Sequence, residues 1–122
     1  MASPSHSVSV VDDDAEVRAA LARLVTSAGY QARAYSSGDE FLRDVESHRP
    51  HCVVLDLQMP GASGLDVLQA LAQRRIGVPV VTITGYDSDK ARATARQLGA
   101  RDYLCKPVDG ESLLAAIASV VD

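Results

Sequence analysis

Short apolar runs alternate along this chain with longer stretches in which apolar residues return at helical spacing. The short runs predict five strands: Ser7 to Asp12, Tyr30 to Tyr35, His51 to Asp56, Pro79 to Thr84 and Arg101 to Cys105. The longer stretches predict five helices. The first is capped by Asp14, carries Val17, Leu21, Leu24, Val25 and Ala28, and stops at Gly29. The second opens on Ser37 and Glu40, spaced as a capping box, and buries Phe41, Leu42 and Val45. The third follows Ser63 and Gly64, shows Leu65, Leu68, Leu71 and Ala72 on one face, and ends before Gly77. The fourth, roughly Ser88 to Leu98, has only Ala91, Ala95 and Leu98 to bury, which marks it as the least anchored and a candidate for movement. The fifth starts at Asp109 and buries Leu113, Leu114, Ile117, Val120 and Val121.

Strands separated by helices join as parallel crossovers, so the class is α/β with a doubly wound parallel sheet. Strands covered on both faces read as continuous apolar runs, and edge strands keep polar residues. Val8 to Val11, Cys52 to Leu55 and Val80 to Ile83 are the apolar runs, whereas Gln31, Arg33, Arg101 and Asp102 mark the second and fifth strands as edges. With right-handed crossovers this ranking gives the order 2-1-3-4-5.

The length of 122 residues allows one core, and 47% hydrophobic against 23% charged residues is a globular composition. A net charge of −4 gives no basic face, so direct nucleic-acid binding and attraction to anionic membranes are not expected. No apolar run reaches the roughly 18 residues of a membrane span, and Met1 to His6 lack the character of a signal peptide, so a cytoplasmic location is expected. Residues 1–6 read as a flexible tail and residues 7–122 as the domain. Cys52 and Cys105 lack metal or redox spacing and read as small core thiols. His6, His48 and His51 read as solvated polar residues, and Arg74 and Arg75 as partners of a helix dipole. Lys90, Arg92 and Arg96 read as solvated charges or as part of a partner face.

In such a sheet, ligands bind beyond the carboxyl ends of the strands, where the strand order reverses. Asp12 and Asp13 end the first strand, Asp56 the third and Thr84 the fourth, and Lys106 follows the fifth. Carboxylates about 4 Å apart repel by about 4 kcal/mol per pair at an effective dielectric near 20, so the cluster needs a counter-charge. Mg²⁺ suits one or two carboxylates and keeps waters that a phosphoryl oxygen can replace. A carboxylate at position 56 can attack phosphorus, with Lys106 and Thr84 neutralising and orienting the transferred group. Helix capping accounts for Asp14 but leaves Asp56 unexplained.

Val10-Val11-Asp12-Asp13, Val54-Leu55-Asp56 with Met59-Pro60-Gly61, Thr84-Gly85, and Gly99-Ala100 through Tyr103-Leu104-Cys105-Lys106-Pro107 closely resemble the response regulator receiver family, over about Val8 to Val121. The resemblance implies the flavodoxin-like receiver fold. It implies phosphotransfer onto Asp56 from a sensor histidine kinase or phosphotransfer protein, with self-catalysed dephosphorylation and no further enzyme activity. It places Mg²⁺ on Asp13, Asp56 and the backbone carbonyl of Gln58, with Asp12 acting mainly through water, and makes the Lys106–Pro107 bond cis. It implies a switch in which Thr84 moves toward the phosphoryl group and Tyr103 turns inward, changing the face built by helix four, strand five and helix five. Without the resemblance, Tyr103 is an edge-strand aromatic, half-buried. His51 departs from the acidic residue common there, and Gln58 and Tyr86 occupy positions that tune phosphoryl lifetime in the family. The run Thr82-Ile83-Thr84-Gly85 resembles the branch with LuxR-type DNA-binding output domains, and a phosphorylation-dependent dimer is a further implication.

Two rival readings stand beside this one. A haloacid-dehalogenase-type phosphatase or phosphotransferase would use Asp12 as nucleophile and Asp14 as its partner, but Ala15-Glu16-Val17 replaces the expected Gly-Thr and Asp56 is left idle. A docking module independent of phosphorylation would have no use for Asp12, Asp13, Asp56, Thr84 and Lys106 together.

Overall fold

In the computed structural model, which describes residues 6–121, the strands β1 (Ser7–Val11), β2 (Gln31–Tyr35), β3 (Cys52–Asp56), β4 (Val80–Thr84) and β5 (Asp102–Cys105) form one parallel sheet. Their order is β2-β1-β3-β4-β5, the doubly wound arrangement expected from the burial ranking. Between and after them lie α1 (Ala15–Ser27), α2 (Gly38–Asp44), α3 (Gly64–Gln73), α4 (Asp89–Gln97) and α5 (Gly110–Val121). Residues 1–5 of the expected tail lie outside the described residues. Every residue of β3 and β4 is buried, whereas β2 buries only Tyr35 and β5 buries none of its residues fully.

Alternation along the strands divides the core in two. Val8, Val10, Cys52, Val54, Val81 and Ile83 pack with Leu21 and Val25 of α1 and with Leu113, Ala116 and Ile117 of α5. Val11, Val53, Leu55 and Val80 pack on the opposite face with Phe41 of α2, Val67, Leu68 and Leu71 of α3, and Ala95 of α4. Removing this apolar surface from water is the main force holding the helices to the sheet. Among the residues of α4 only Ala95 is buried, in keeping with its weak apolar stripe.

Several local expectations change. In α3 the buried residues are Gly64, Val67, Leu68 and Leu71, while Leu65 is half-buried and Ala72 exposed. The cause is Gly64: a Cβ there would lie 2.5 Å from the Asp56 carbonyl oxygen and 2.6 Å from Leu57 Cα, so the helix start rests directly on the end of β3 and turns residue 64 inward. In α2, Ser37 accepts from the Glu40 N–H, but the Glu40 carboxylate accepts from Ser36 N–H, so the reciprocal box does not close. It closes in α3, between Ser63 and Asp66. Cys52 is buried as expected, but Cys105 is exposed, because it ends an edge strand that has no neighbour on its outer side.

Three helices end in the same motif. After α1, the Tyr30 N–H donates to Val25 O and the Gly29 N–H to Thr26 O; after α4, Ala100 donates to Ala95 and Gly99 to Arg96. After α3, which ends before Gly77 as expected, Ile76 donates to Leu71 and Arg75 to Ala72, so the left-handed residue is Arg75, at φ 56°. Buried Ile76 and Leu71 belong to the same core cluster and hold the turn closed. A left-handed non-glycine residue costs about 1–2 kcal/mol, partly offset on replacement by the greater unfolded freedom of glycine. Arg75→Gly is therefore expected to stabilise the fold by about 0.5 kcal/mol. Urea unfolding with an unchanged m-value checks it; a midpoint at or below that of the wild type would contradict it.

Candidate functional site

Strand register and side-chain parity assemble the polar rim. Val11 pairs with Leu55, so Asp12, one residue on, reaches the level of Asp56; Thr84 pairs with Cys105, and Lys106 is the next residue. Asp12, Asp56 and Lys106 continue the alternation of Val10, Val54 and Leu104, on the side of α1 and α5. Thr84 and Tyr103 have the opposite parity, on the side of α4. The Lys106–Pro107 peptide bond is cis.

One carboxylate oxygen from each of Asp12, Asp13 and Asp56 lies within 4.8 Å of the others. Asp12 and Asp56 are 0% and 1% exposed, while Asp13 is exposed. Lys106 Nζ lies 3.0 Å from Asp12 Oδ2 and 3.3 Å from Asp56 Oδ2. One ammonium thus pairs with two of the three clustered carboxylates. Burial pushes the Asp56 carboxyl up to about 6; the Gln58 N–H, donating to Oδ1 at 3.0 Å, opposes this, the Asp12 charge adds to it, and Lys106 opposes it. For Lys106, burial favours the neutral amine, but the bond to Asp12 and the charges of Asp56 and Asp12 outweigh it, and the net shift is upward.

Other side chains fix the frame. Asp12 Oδ1 accepts the Asp14 N–H at 2.9 Å, and Asp14 Oδ1 accepts the Glu16 and Val17 N–H groups at the start of α1. The Arg18 guanidinium donates to the Asp12 carbonyl oxygen at 2.8 Å. The Thr84 hydroxyl is buried and bound within its own loop, donating to the Tyr86 carbonyl at 3.2 Å and accepting the Tyr86 N–H at 3.1 Å. The Tyr103 hydroxyl is buried without a hydrogen bond of good geometry, near Asp87 and the Ser88 backbone.

A hard dication fits this donor set. Asp12 Oδ2 is buried against the Lys106 ammonium, the three carboxylates converge, and all the donors are oxygens, the preference of Mg²⁺. Of the expected residues, Asp12, Asp13, Asp56 and Lys106 come together, with Gln58 held to Asp56 through its N–H. Thr84 stands at the same rim but faces its loop, and Tyr103 lies on the α4 side. Arg18 and Asp87 were not singled out by sequence reasoning; Gly64 was read only as a helix start, and Arg92 only as a solvated charge or part of a partner face. Arg18 carried one signal, its place four residues after the cap Asp14 on the first turn of α1.

The acidic, lysine-braced rim lies at the topological switch point of a doubly wound sheet, where ligands bind in α/β folds of this class. The chain belongs to the response regulator receiver family of two-component systems: residues 8–118 match the family model described as the response regulator receiver domain. It is 38% identical over 112 residues to the response regulator protein TmoT of Ectopseudomonas mendocina, covering 92% of this chain and 51% of that protein. It is 35% identical over 114 residues to the acid tolerance regulatory protein ActR of Rhizobium meliloti (strain 1021), covering 93% and 59%. The crystal structure of FixJ-N superimposes with a TM-score of 0.90 at 30% identity, covering 99% of this chain and 95% of that one. The chain spans about half the length of these two curated relatives.

Proposed function

We propose that this receiver domain accepts a phosphoryl group on Asp56 and holds Mg²⁺ on Asp13, Asp56 and the Gln58 carbonyl, with Asp12 acting through water. The observation that carries this reading is the clustering of three carboxylates, two of them buried, with one ammonium paired to Asp12 and Asp56. Bound at this rim, Mg²⁺ would neutralise the carboxylates and the non-bridging oxygens of the incoming group. Asp56 supplies the nucleophile: Oδ2, the oxygen not bound by the Gln58 N–H, forms the bond to phosphorus while the bond from phosphorus to the donor's imidazole nitrogen breaks, and the imidazole leaves with its electron pair. The Gln58 N–H keeps the Asp56 carboxylate oriented. Lys106 offers its charge to the transferred oxygens, and the Thr84 hydroxyl exchanges its Tyr86 contacts for one of them.

Receiver domains of this family work with histidine kinases, and the donor here is read as the phosphohistidine of such a kinase or of a phosphotransfer protein. A cytoplasmic site of action and an output through the α4, β5 and α5 face, to a DNA-binding domain or a second copy, belong to the same proposal. No helix of the described residues is long and apolar enough to cross a membrane. Asp14 Oδ1 is engaged in helix capping, which argues against Asp14 as the partner that a dehalogenase-type mechanism would need.

Titration with MgCl₂, followed by amide NMR, tests the site. Amides of Asp12, Asp13 and Gln58 are expected to shift, and at ten times Kd the ion is expected to add about 1.4 kcal/mol of stability. Spectra and melting point indifferent to millimolar Mg²⁺ would remove the basis of the reading.

A further inference from the structure

One arrangement on the α4 side is not used by the proposed chemistry. The Arg92 guanidinium carbon lies 4.5 Å from the centroid of the Tyr103 ring, and Arg92 Nη2 donates to both Asp87 carboxylate oxygens at 3.2 Å. Tyr103 packs at the edge of the α2–α4 half of the core with its hydroxyl buried. Asp87 directly follows Tyr86, whose N–H and carbonyl are both bound to the Thr84 hydroxyl. A continuous chain of contacts therefore runs from Thr84 through Tyr86, Asp87 and Arg92 to Tyr103. It joins the end of β4, the first turn of α4, and β5. Because α4 buries only Ala95, core packing does little to fix its distance from β5, and a side-chain clamp gains weight there.

We propose that Arg92, braced by Asp87, is a positioning residue that keeps the Tyr103 hydroxyl buried and ties this side chain to the Thr84 loop. The guanidinium suits the task because its plane stacks on an aromatic face while its edge binds a carboxylate. The clamp itself needs only the contacts described. Its bearing on signalling rests on the reading of Thr84 as a phosphoryl-contacting residue. On that reading, when Thr84 turns toward the occupied site, Tyr86 is released and Asp87 becomes free to move, which lets Arg92 follow the Tyr103 ring as it turns further inward.

The test uses the full chain labelled with 3-fluorotyrosine and studied by ¹⁹F NMR without metal, the Tyr103 signal being assigned with Tyr103→Phe. Wild-type Tyr103 is expected to show a small H₂O/D₂O solvent isotope shift, against a large one for Tyr86, which is 71% exposed. Arg92→Ala and Asp87→Ala should each raise the ratio of solvent-exposed to buried Tyr103 about two- to fivefold, with partial recovery in Arg92→Lys. Alanine keeps α4 helical, and far-UV circular dichroism verifies it. Thr84→Ala should move the Tyr103 signal in the same direction. A Tyr103 signal unchanged in folded Arg92→Ala and Asp87→Ala overturns the clamp; one unchanged in Thr84→Ala overturns its tie to the loop. A separate sample with Mg²⁺ and beryllofluoride keeps the two proposals apart: unmoved amides at Gln58 and Thr84 would count against the phosphoryl site and leave the metal-free clamp result intact.

Discussion

Asp56→Asn is expected to abolish phosphoryl uptake from acetyl phosphate and, in metal-free protein at pH 7, to stabilise the fold by about 1–3 kcal/mol. The first effect follows because an amide cannot form the acyl phosphate, and mass spectrometry of the intact chain would read it directly. The second follows from burial: the Asp56 carboxyl is pushed up to about 6, so the folded state holds its proton more tightly than the unfolded chain does. Wild-type stability should therefore fall as pH rises from about 4 to about 6 and stay lower above that window. The asparagine variant lacks this loss, so the gap between the two proteins should open across the same interval and be absent below it. Asn can still accept the Gln58 N–H, which spares the loop. Urea melts in EDTA at several pH values decide the matter: a gap independent of pH, or a less stable variant at pH 7, contradicts the electrostatic account.

Lys106→Ala is expected to act in the opposite sense, costing about 2–4 kcal/mol in the metal-free protein at pH 7. The lost ammonium sits 3.0 Å from Asp12 and 3.3 Å from Asp56, and without it two buried carboxylates face each other with Asp13 nearby. Because the Lys106 pKa is raised in the fold, its contribution is complete at neutral pH and fades only as pH rises through that raised value. Millimolar Mg²⁺ should restore part of the loss, and so should Asp56→Asn in the same chain, giving a coupling energy of about 1 kcal/mol or more. Strictly additive single and double variants would show that Lys106 acts by packing its stem instead of by charge.

Much of this architecture was legible because burial writes itself into composition. The apolar runs at Val8 to Val11, Cys52 to Leu55 and Val80 to Ile83 could only be inner strands, and Gln31, Arg33, Arg101 and Asp102 could only be edges. Once the order was known, the ends of four strands placed Asp12, Asp56, Thr84 and Lys106 on one rim without any knowledge of side-chain rotamers. What escaped depends on contacts that no local pattern encodes. The helix stops before Gly77, but it is Ile76 and Leu71 that close the turn through the core, with Arg75 in the left-handed position. Cys105 lay in an apolar run, yet an edge strand has no neighbour to cover it. Arg92 looked like any solvated arginine of a polar helix, since Tyr103 and Asp87 reach it only in three dimensions.

The absence of a side chain at position 64 has a consequence for how this domain can vary. The first turn of α3 abuts the backbone of Asp56 and Leu57 with no room for a methyl group, so the helix acts as a depth stop for the end of β3 that carries the Asp56 carboxylate. Residues 58–63 are relieved of that duty and span between two fixed anchors. The exposed side chains among them, such as Gln58 and Pro60, can be exchanged to reshape access to the rim, provided that Met59 stays buried, Ser63 keeps its cap and glycine remains at 61 and 64.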